Sequence, residues 1–377
     1  MKIEYKEEIL IDEEYLRSLL EEINKAKYSI DMEVYIFDDD LVGQSVTDAL
    51  CNAAKREVQI RVLVDGIGSM NWGSNITNQL ELNGIKTKVF HPLPWRISHW
   101  NRSSVVSKFI IYKIFFLLSK INNRNHRKVC IIDKSIVFVG SANINNHLLK
   151  LNTSSANNWR ETCVKLVDVR TDEIQYAFDK AWGRIPFKNR LGKIFRNTNS
   201  TFMFNYSWRL RHQYYKSLLK QIAHCSKRIW VTNAYFVPDS RLLKKLSKAS
   251  RKGVDVRILL PEKSDVTMES IVTYTFYSIL LKNGVLIYEY IPTILHAKVL
   301  ILDDWYAIGS SNLNYRSFKH DLEVNVNIHT NQAKKIINTQ FLYDLSRSRQ
   351  LNLADVNNQS IVKRFFAWLI LLIRYWI

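Results

Sequence analysis

The chain has 377 residues, 47% of them hydrophobic, a length generous for one core and comfortable for two. Lys and Arg outnumber Asp and Glu by 54 to 35, a net charge of +19 that implies an anionic partner, either nucleic acid or a phospholipid surface. The scattered Cys51, Cys130, Cys163 and Cys225 show no C-x-x-C spacing and read as reduced, buried thiols, and from the polar, acidic stretch Met1 to Glu8 no amino-terminal secretory signal or membrane span is expected.

Leu16, Leu19, Leu20 and Ile23 recur at helical spacing and predict a helix packed on a sheet. Ile30, Met32 and Val34 then alternate with Asp31, Glu33 and Tyr35 as in a strand. Val46, Ala49, Leu50 and Ala53 give a second helix face, and Val58, Ile60, Val62 and Val64 a second strand. Gly66-Ile67-Gly68-Ser69 is a plain turn, since it lacks the third glycine of a dinucleotide fingerprint and the Lys-Ser/Thr of a phosphate loop. A helix from Ile76 to Leu82 and a short strand near Val89 follow.

No acid occurs between His91 and Ile132, and within that interval Val105 to Leu118 is nearly all aliphatic or aromatic, broken by Ser107, Lys108 and Lys113. That run falls short of the roughly 20 residues needed to span a bilayer and is expected to lie at a surface. The second half repeats the plan: a strand at Ile229 and Val231, a helix with Leu242, Leu243 and Leu246, a strand from Val254 to Leu260, a helix from Met268 to Lys282 and a strand from Val285 to Tyr290. A boundary is expected near Gly192 to Ser207, where Asn, Thr, Ser and basic residues interrupt the pattern, inside a second acid-free interval from Lys180 to Pro238. On a helix from Phe365 to Ile377, Lys363, Arg364 and Arg374 share a polar sector apart from Phe366, Leu369, Ile370, Ile373 and Trp376, the pattern of an interfacial helix.

The chemistry lies in a doubled phrase. His126, Lys128 and Asp133 follow H-x-K-x4-D, and His296, Lys298 and Asp303 repeat it. Because each phrase leads into apolar β-formers, His and Lys at i and i+2 face the same way. Gly140-Ser141-Ala142-Asn143 and Gly309-Ser310-Ser311-Asn312 follow, then the acids Glu161 and Glu323. One such phrase is an ordinary strand carrying a His and a Lys; two, each with its G-S-x-N sequel, are a signal.

This pattern resembles the phospholipase D superfamily, and within it the bacterial cardiolipin synthases of the shorter type without amino-terminal spans. The narrower likeness rests on Tyr35-Ile36-Phe37, Asn125-His126-Arg127-Lys128, Ala234-Tyr235-Phe236-Val237-Pro238, Gly253-Val254-Asp255-Val256-Arg257 leading to Leu260-Pro261, Leu295-His296-Ala297-Lys298 and Asn314-Tyr315-Arg316-Ser317-Phe318, and runs from about Ser29 to Ile328. It implies an α/β fold of duplicated phospholipase D-like domains, each a mixed sheet flanked by helices, with one active site shared between the halves. The expected division is residues 1–198, carrying an apolar, basic insertion at 95–120, then 199–360, then an amphipathic membrane-binding tail at 361–377.

By the same resemblance, one His attacks phosphorus to form a phosphohistidine and the other protonates the departing alcohol; we assign His126 as nucleophile and His296 as acid. Lys128 and Lys298 hold the non-bridging oxygens, Asn143 and Asn312 donate hydrogen bonds, and Ser141 and Ser310 line the site. Glu161 and Glu323 are expected to hydrogen-bond the far nitrogen of the His of their own half and to favour the imidazolium; Glu161 is the more distant in sequence. Asp133 and Asp303 belong to the catalytic motif, yet their place at a strand end before a turn favours a structural role. A lysine beside each His would repel a divalent cation, so no metal and no cofactor are expected.

The expected reaction is transfer of phosphatidyl from one phosphatidylglycerol to another, giving cardiolipin and glycerol, by a peripheral enzyme on the cytoplasmic face of the bacterial inner membrane. Rivals are a hydrolase or a transferase with another acceptor alcohol, a phosphodiesterase nuclease, and a non-catalytic membrane module. Exposed Phe and Leu runs do not serve a nuclease, so no nucleic-acid partner is expected, and two intact motifs argue against the last reading.

Overall fold

A computed structural model of the chain describes residues 5–70, 72, 75–96, 99–104, 118, 121–149, 158–183 and 200–357, without the side chains of 267–271. The expected apolar segment 105–118, apart from Leu118, and the tail 361–377 lie outside these residues, as does 192–199 of the expected boundary region.

The first half runs β1 (Lys6–Ile11), α1 (Glu13–Lys25), β2 (Ser29–Val34), α2 (Leu41–Lys55), β3 (Gln59–Asp65), α3 (Asn75–Leu82), β4 (Lys86–Phe90), β5 (Val129–Ile132), β6 (Ile136–Gly140), β7 (Trp159–Arg160), β8 (Thr162–Val167) and α4 (Asp172–Trp182). The second runs β9 (Phe202–Phe204), α5 (Trp208–His224), β10 (Arg228–Thr232), α6 (Ser240–Arg251), β11 (Asp255–Pro261), α7 (Thr267–Lys282), β12 (Leu286–Tyr290), β13 (Ile294–Leu295), β14 (Val299–Leu302), β15 (Trp305–Gly309), α8 (Tyr315–Lys319), β16 (Val324–Ile328), α9 (Asn331–Ser346), β17 (Ser348–Gln350) and α10 (Leu353–Asn357).

Most of these strands form two mixed sheets, ordered β1-β8-β6-β5-β2-β3-β4 and β17-β12-β11-β10-β14-β15-β16-β9. In each, three successive strands run parallel, β2-β3-β4 and β10-β11-β12, and the strand that follows the His-Lys pair joins antiparallel to the first of them. The duplication therefore extends to strand order and direction, with β17 an addition to the second sheet. The helices predicted from periodicity form because their apolar faces have a sheet to cover: Leu16, Leu19 and Ile23 of α1 and Val46 and Leu50 of α2 pack on Ile30, Met32, Ile60 and Val62.

Strand alternation sets the layers. Val129 and Ile131 of β5 and Val299 and Ile301 of β14 share one central core in which the sheets face each other, with Phe178 of α4 and Ile337 and Phe341 of α9 in the same cluster. Cys130 and Ile132 point the other way, under α1 and α2, while Leu300 and Leu302 point under α5, α6 and α7. The molecule is thus layered helix, sheet, sheet, helix. Three of the four cysteines are buried, Cys225 is half-buried, and all are free.

Candidate active site

The two His-Lys pairs sit just ahead of β5 and β14, where chain leaving one sheet meets chain from the other. β7 and β13 pair in parallel across the halves, Ile294 with Trp159 and Leu295 with Arg160. This brings His296 N to Arg160 O at 2.9 Å, one residue before Glu161. Asn125 bridges Leu322 likewise, and His126 N donates to Leu322 O at 3.0 Å, one residue before Glu323. Backbone register therefore delivers each glutamate to the histidine of the opposite half.

The side chains follow. His126 Nδ1 lies 3.1 and 3.2 Å from the two carboxylate oxygens of Glu323, and His296 Nδ1 lies 2.7 Å from Glu161 Oε1. Both glutamates take up the expected role, but the own-half pairing is corrected to a crossed one. The distance in sequence from His126 to Glu161 therefore has no bearing on whether Glu161 can act. Each imidazole is held to its glutamate by Nδ1, so Nε2 takes no part in that couple.

Lys128 Nζ and Lys298 Nζ donate to the carbonyls of His126 and His296 at 2.8 and 2.6 Å, folding each ammonium back beside its imidazole. Ser310 Oγ and Ser317 Oγ donate to the two oxygens of Glu323, the latter at 2.6 Å. Ser141 Oγ accepts from Thr162 N at 3.0 Å as Ser310 Oγ does from Val324 N at 3.1 Å, so both serines tie their loop to the strand beginning beside the glutamate. Asn143 Oδ1 accepts from Ile36 N at 3.3 Å, and Asn312 Oδ1 is buried with no hydrogen-bond partner among the described residues. The glycine of each G-S-x-N phrase is required by close approach. A Cβ on Gly140 would stand 2.6 Å from Cys163 Cα, and one on Gly309 would stand 2.3 Å from Val324 O.

All these groups are buried, and burial dominates their electrostatics. It pushes His126 below the usual imidazole range, helped by the ammonium of Lys128 and opposed by Glu323. It takes His296 down to about 4, with Glu161 opposing. Burial and the charge of Lys298 bring Lys128 down to about 7. For Glu161 and Glu323 burial alone would raise the pKa, but the facing His and Lys outweigh it and hold both low. The glutamates pull toward the imidazolium as expected, and desolvation exceeds their pull.

Asp133 and Asp303 do not reach this cluster. The Asp133 carboxylate accepts from the backbone N–H groups of Lys27, Tyr28 and Ser29 at 2.9, 2.7 and 2.9 Å, and that of Asp303 from Ser226, Lys227 and Arg228 at 2.8, 2.9 and 2.8 Å. Each sits at the far end of its strand in left-handed backbone, φ 50° and 51°, tying β5 to the start of its antiparallel neighbour β2 and β14 to the start of β10. Their place in the catalytic set is corrected to the structural role.

Residues without an assigned role complete the site. The Tyr35 ring meets His126 edge-on at 5.0 Å with Lys128 Nζ 5.0 Å from its centroid, and Tyr235 meets His296 at 6.0 Å with Lys298 Nζ at 5.9 Å. Trp159 lies 4.8 Å from His296 and stacks on His147 at 4.3 Å. Superposing the two repeats would have singled out the tyrosines, since each follows the first parallel strand of its sheet; Trp159 had no such signal.

Crossed His-Glu pairs with a lysine beside each make a buried cluster of two imidazoles, two ammonium groups and two carboxylates, a set suited to in-line exchange at an anionic phosphorus. The family described as cardiolipin synthase, PLD-like domain, matches residues 19–182 and 218–345. The chain belongs to this family. Among its relatives, a cardiolipin synthase of Clostridium perfringens is 30% identical over 362 residues, 92% of this chain and 72% of that protein. One of Halalkalibacterium halodurans is 28% identical over 351 residues, 90% of this chain and 65% of that protein. The chain thus spans about two thirds of the length of these cardiolipin synthases. A phosphatidylserine synthase of Haemophilus influenzae shares the fold, with a TM-score of 0.65 at 14% identity over 97% of this chain and 92% of that one.

Proposed function

We propose that the chain is a phosphatidyltransferase of the cardiolipin synthase type, using phosphatidylglycerol as donor and a second phosphatidylglycerol as acceptor. The observation that carries this reading is the pair of crossed Glu-His couples with Lys128 and Lys298 between them. Nε2 of His126 attacks the phosphodiester phosphorus, the bond from phosphorus to the glycerol oxygen breaks, and His296 passes its proton to that oxygen, releasing glycerol. The hydroxyl of the second phosphatidylglycerol then loses its proton to His296 as its oxygen bonds phosphorus, the N–P bond breaks, and cardiolipin leaves. Lys128, Lys298, Asn143 and Asn312 hold the non-bridging oxygens, where positive charge in a dry site lowers the barrier most. Burial drives both imidazoles toward the neutral form, the state a nucleophile needs, and an arriving phosphodiester anion restores the affinity for the acid's proton.

The chain is further proposed to work as a peripheral enzyme on the cytoplasmic face of the bacterial inner membrane, on anionic phospholipid. No helix among the described residues is long and apolar enough to cross a membrane. The test is incubation with phosphatidylglycerol vesicles, with and without chelator. Cardiolipin and glycerol in equal amounts support the reading, phosphatidic acid alone selects a hydrolase, and failure on lipid with cleavage of a nucleic acid selects a nuclease. With labelled donor, His296→Ala should trap phosphatidyl on the protein and His126→Ala should trap none; the opposite pattern reverses the two roles.

A further inference from the structure

The segments first suspected of meeting a membrane lie outside the described residues, yet the described part carries a surface of its own. Between Ser200 and Val254 the chain has twelve Lys and Arg residues and a single acid, Asp239. That acid is committed: Asp239 Oδ1 accepts from Arg241 N and Leu242 N at 3.0 and 2.9 Å as the cap of α6, and from the hydroxyl of Tyr215. The rest of the segment supplies α5 and α6, which pack on each other over the outer face of the second sheet and contain no Asp or Glu. Arg209, Lys216, Lys220, Arg241, Lys244 and Lys248 are exposed along them.

Both helices start beside the catalytic cluster. Asn205, three residues before α5, accepts from Glu323 N at 2.6 Å, and Asp239, the cap of α6, follows Tyr235 by four residues. At that end Trp208 is 77% exposed and lines a solvent-open groove together with Tyr315 and Phe318.

We propose that the outer face of α5 and α6 is a docking platform for an anionic lipid bilayer, with Trp208 seated among the headgroups next to the active-site histidines. Charge complementarity argues for an anionic partner: a face of basic side chains with its only acid capped attracts anionic headgroups at short range. The exposed indole and aromatic groove argue for a lipid over a nucleic acid, because an indole beside cationic side chains suits the headgroup layer, polar on one side and apolar on the other. The proposal rests on the phosphatidyltransferase reading and adds the surface by which the substrate-bearing membrane is met.

The test is flotation of the full chain with vesicles of mixed phosphatidylglycerol and phosphatidylcholine, and with phosphatidylcholine alone, for wild type, Trp208→Ala and the triple variant Lys216→Gln, Lys244→Gln, Lys248→Gln. These positions are exposed and lie outside the catalytic cluster, and circular dichroism checks the fold. At about fivefold per neutralised charge, the triple variant should bind anionic vesicles roughly a hundredfold more weakly. Trp208→Ala should lose binding that survives high salt. Turnover of phosphatidylglycerol dispersed in neutral detergent should stay within about twofold of wild type for both variants. Wild-type binding by the folded triple variant overturns the platform. Loss of detergent turnover in the wild type overturns the functional reading instead, whatever the vesicles show. Competition by duplex DNA that the triple variant escapes, with no wild-type binding to vesicles, overturns the choice of lipid.

Discussion

At the scale of single residues, the chemistry is organised by which carboxylate holds which imidazole. If His126 answers to Glu323, then in a His296→Ala background Glu323→Gln should lower phosphohistidine accumulation at least tenfold while Glu161→Gln leaves it nearly unchanged; own-half pairing would give the reverse. Acid should also weaken the fold through His296. Its folded pKa of about 4 lies below its ordinary 6.5, so the unfolded chain binds a proton between those values that the folded chain does not. That contribution is complete above pH ~6.5 and lost as pH falls through ~4, on the order of 3 kcal/mol at about 1.4 kcal/mol per unit. Glu161 and Glu323, held below the ordinary carboxylate range, act in the same direction lower down. The slope of Tm against pH between 4 and 6.5 should flatten in His296→Asn. Asp133→Ala, by contrast, should lower stability by roughly 1–3 kcal/mol through three orphaned N–H groups, while kcat per folded molecule stays near wild type.

At the scale of elements, much of the chain was legible because its helices and parallel strands are buried on one side or both. Leu16, Leu19 and Ile23, or Val62 and Val64, carry the period that burial imposes. β1 escaped notice: Lys6-Glu7-Glu8 reads as a polar lead, yet Glu7 is buried and accepts from the backbone of His329 and Thr330, a partner more than 300 residues away. β6, β8, β15 and β16 were not read as strands, although the phrases beside them were singled out for chemistry. The crossing of the glutamates was invisible for a related reason, since it is set by the short pairs β7 with β13 and Asn125 with Leu322, too brief for any periodicity. The glycines of the G-S-x-N phrases mark where elements press closest. Gly140→Ala should push β6 off β8 at Cys163 and cost several kcal/mol, with soluble yield and Tm both falling, whereas Gly84→Ala, with open space around its Cβ, should cost only what its positive φ demands.

At the scale of the whole molecule, the crossed couples make the site a property of the assembled pair of sheets. His126 and Glu323 are 197 residues apart, and His296 and Glu161 are 135 apart. Contacts this remote form late, because loop closure must come before they contribute. On a ribosome adding about 5–20 residues per second, His126 waits on the order of ten seconds or longer for the carboxylate that will orient it. During that interval a half-chain can own a complete sheet and have no chemistry. Refolding from denaturant should therefore recover far-ultraviolet circular dichroism well before turnover, with the lag set by docking of the halves; simultaneous recovery would mean that each half orders its own histidine. On the proposed function, such a chain carries its own proofreading of assembly: the imidazole of His126 gains its orienting carboxylate only when a stretch 197 residues further on has found its place.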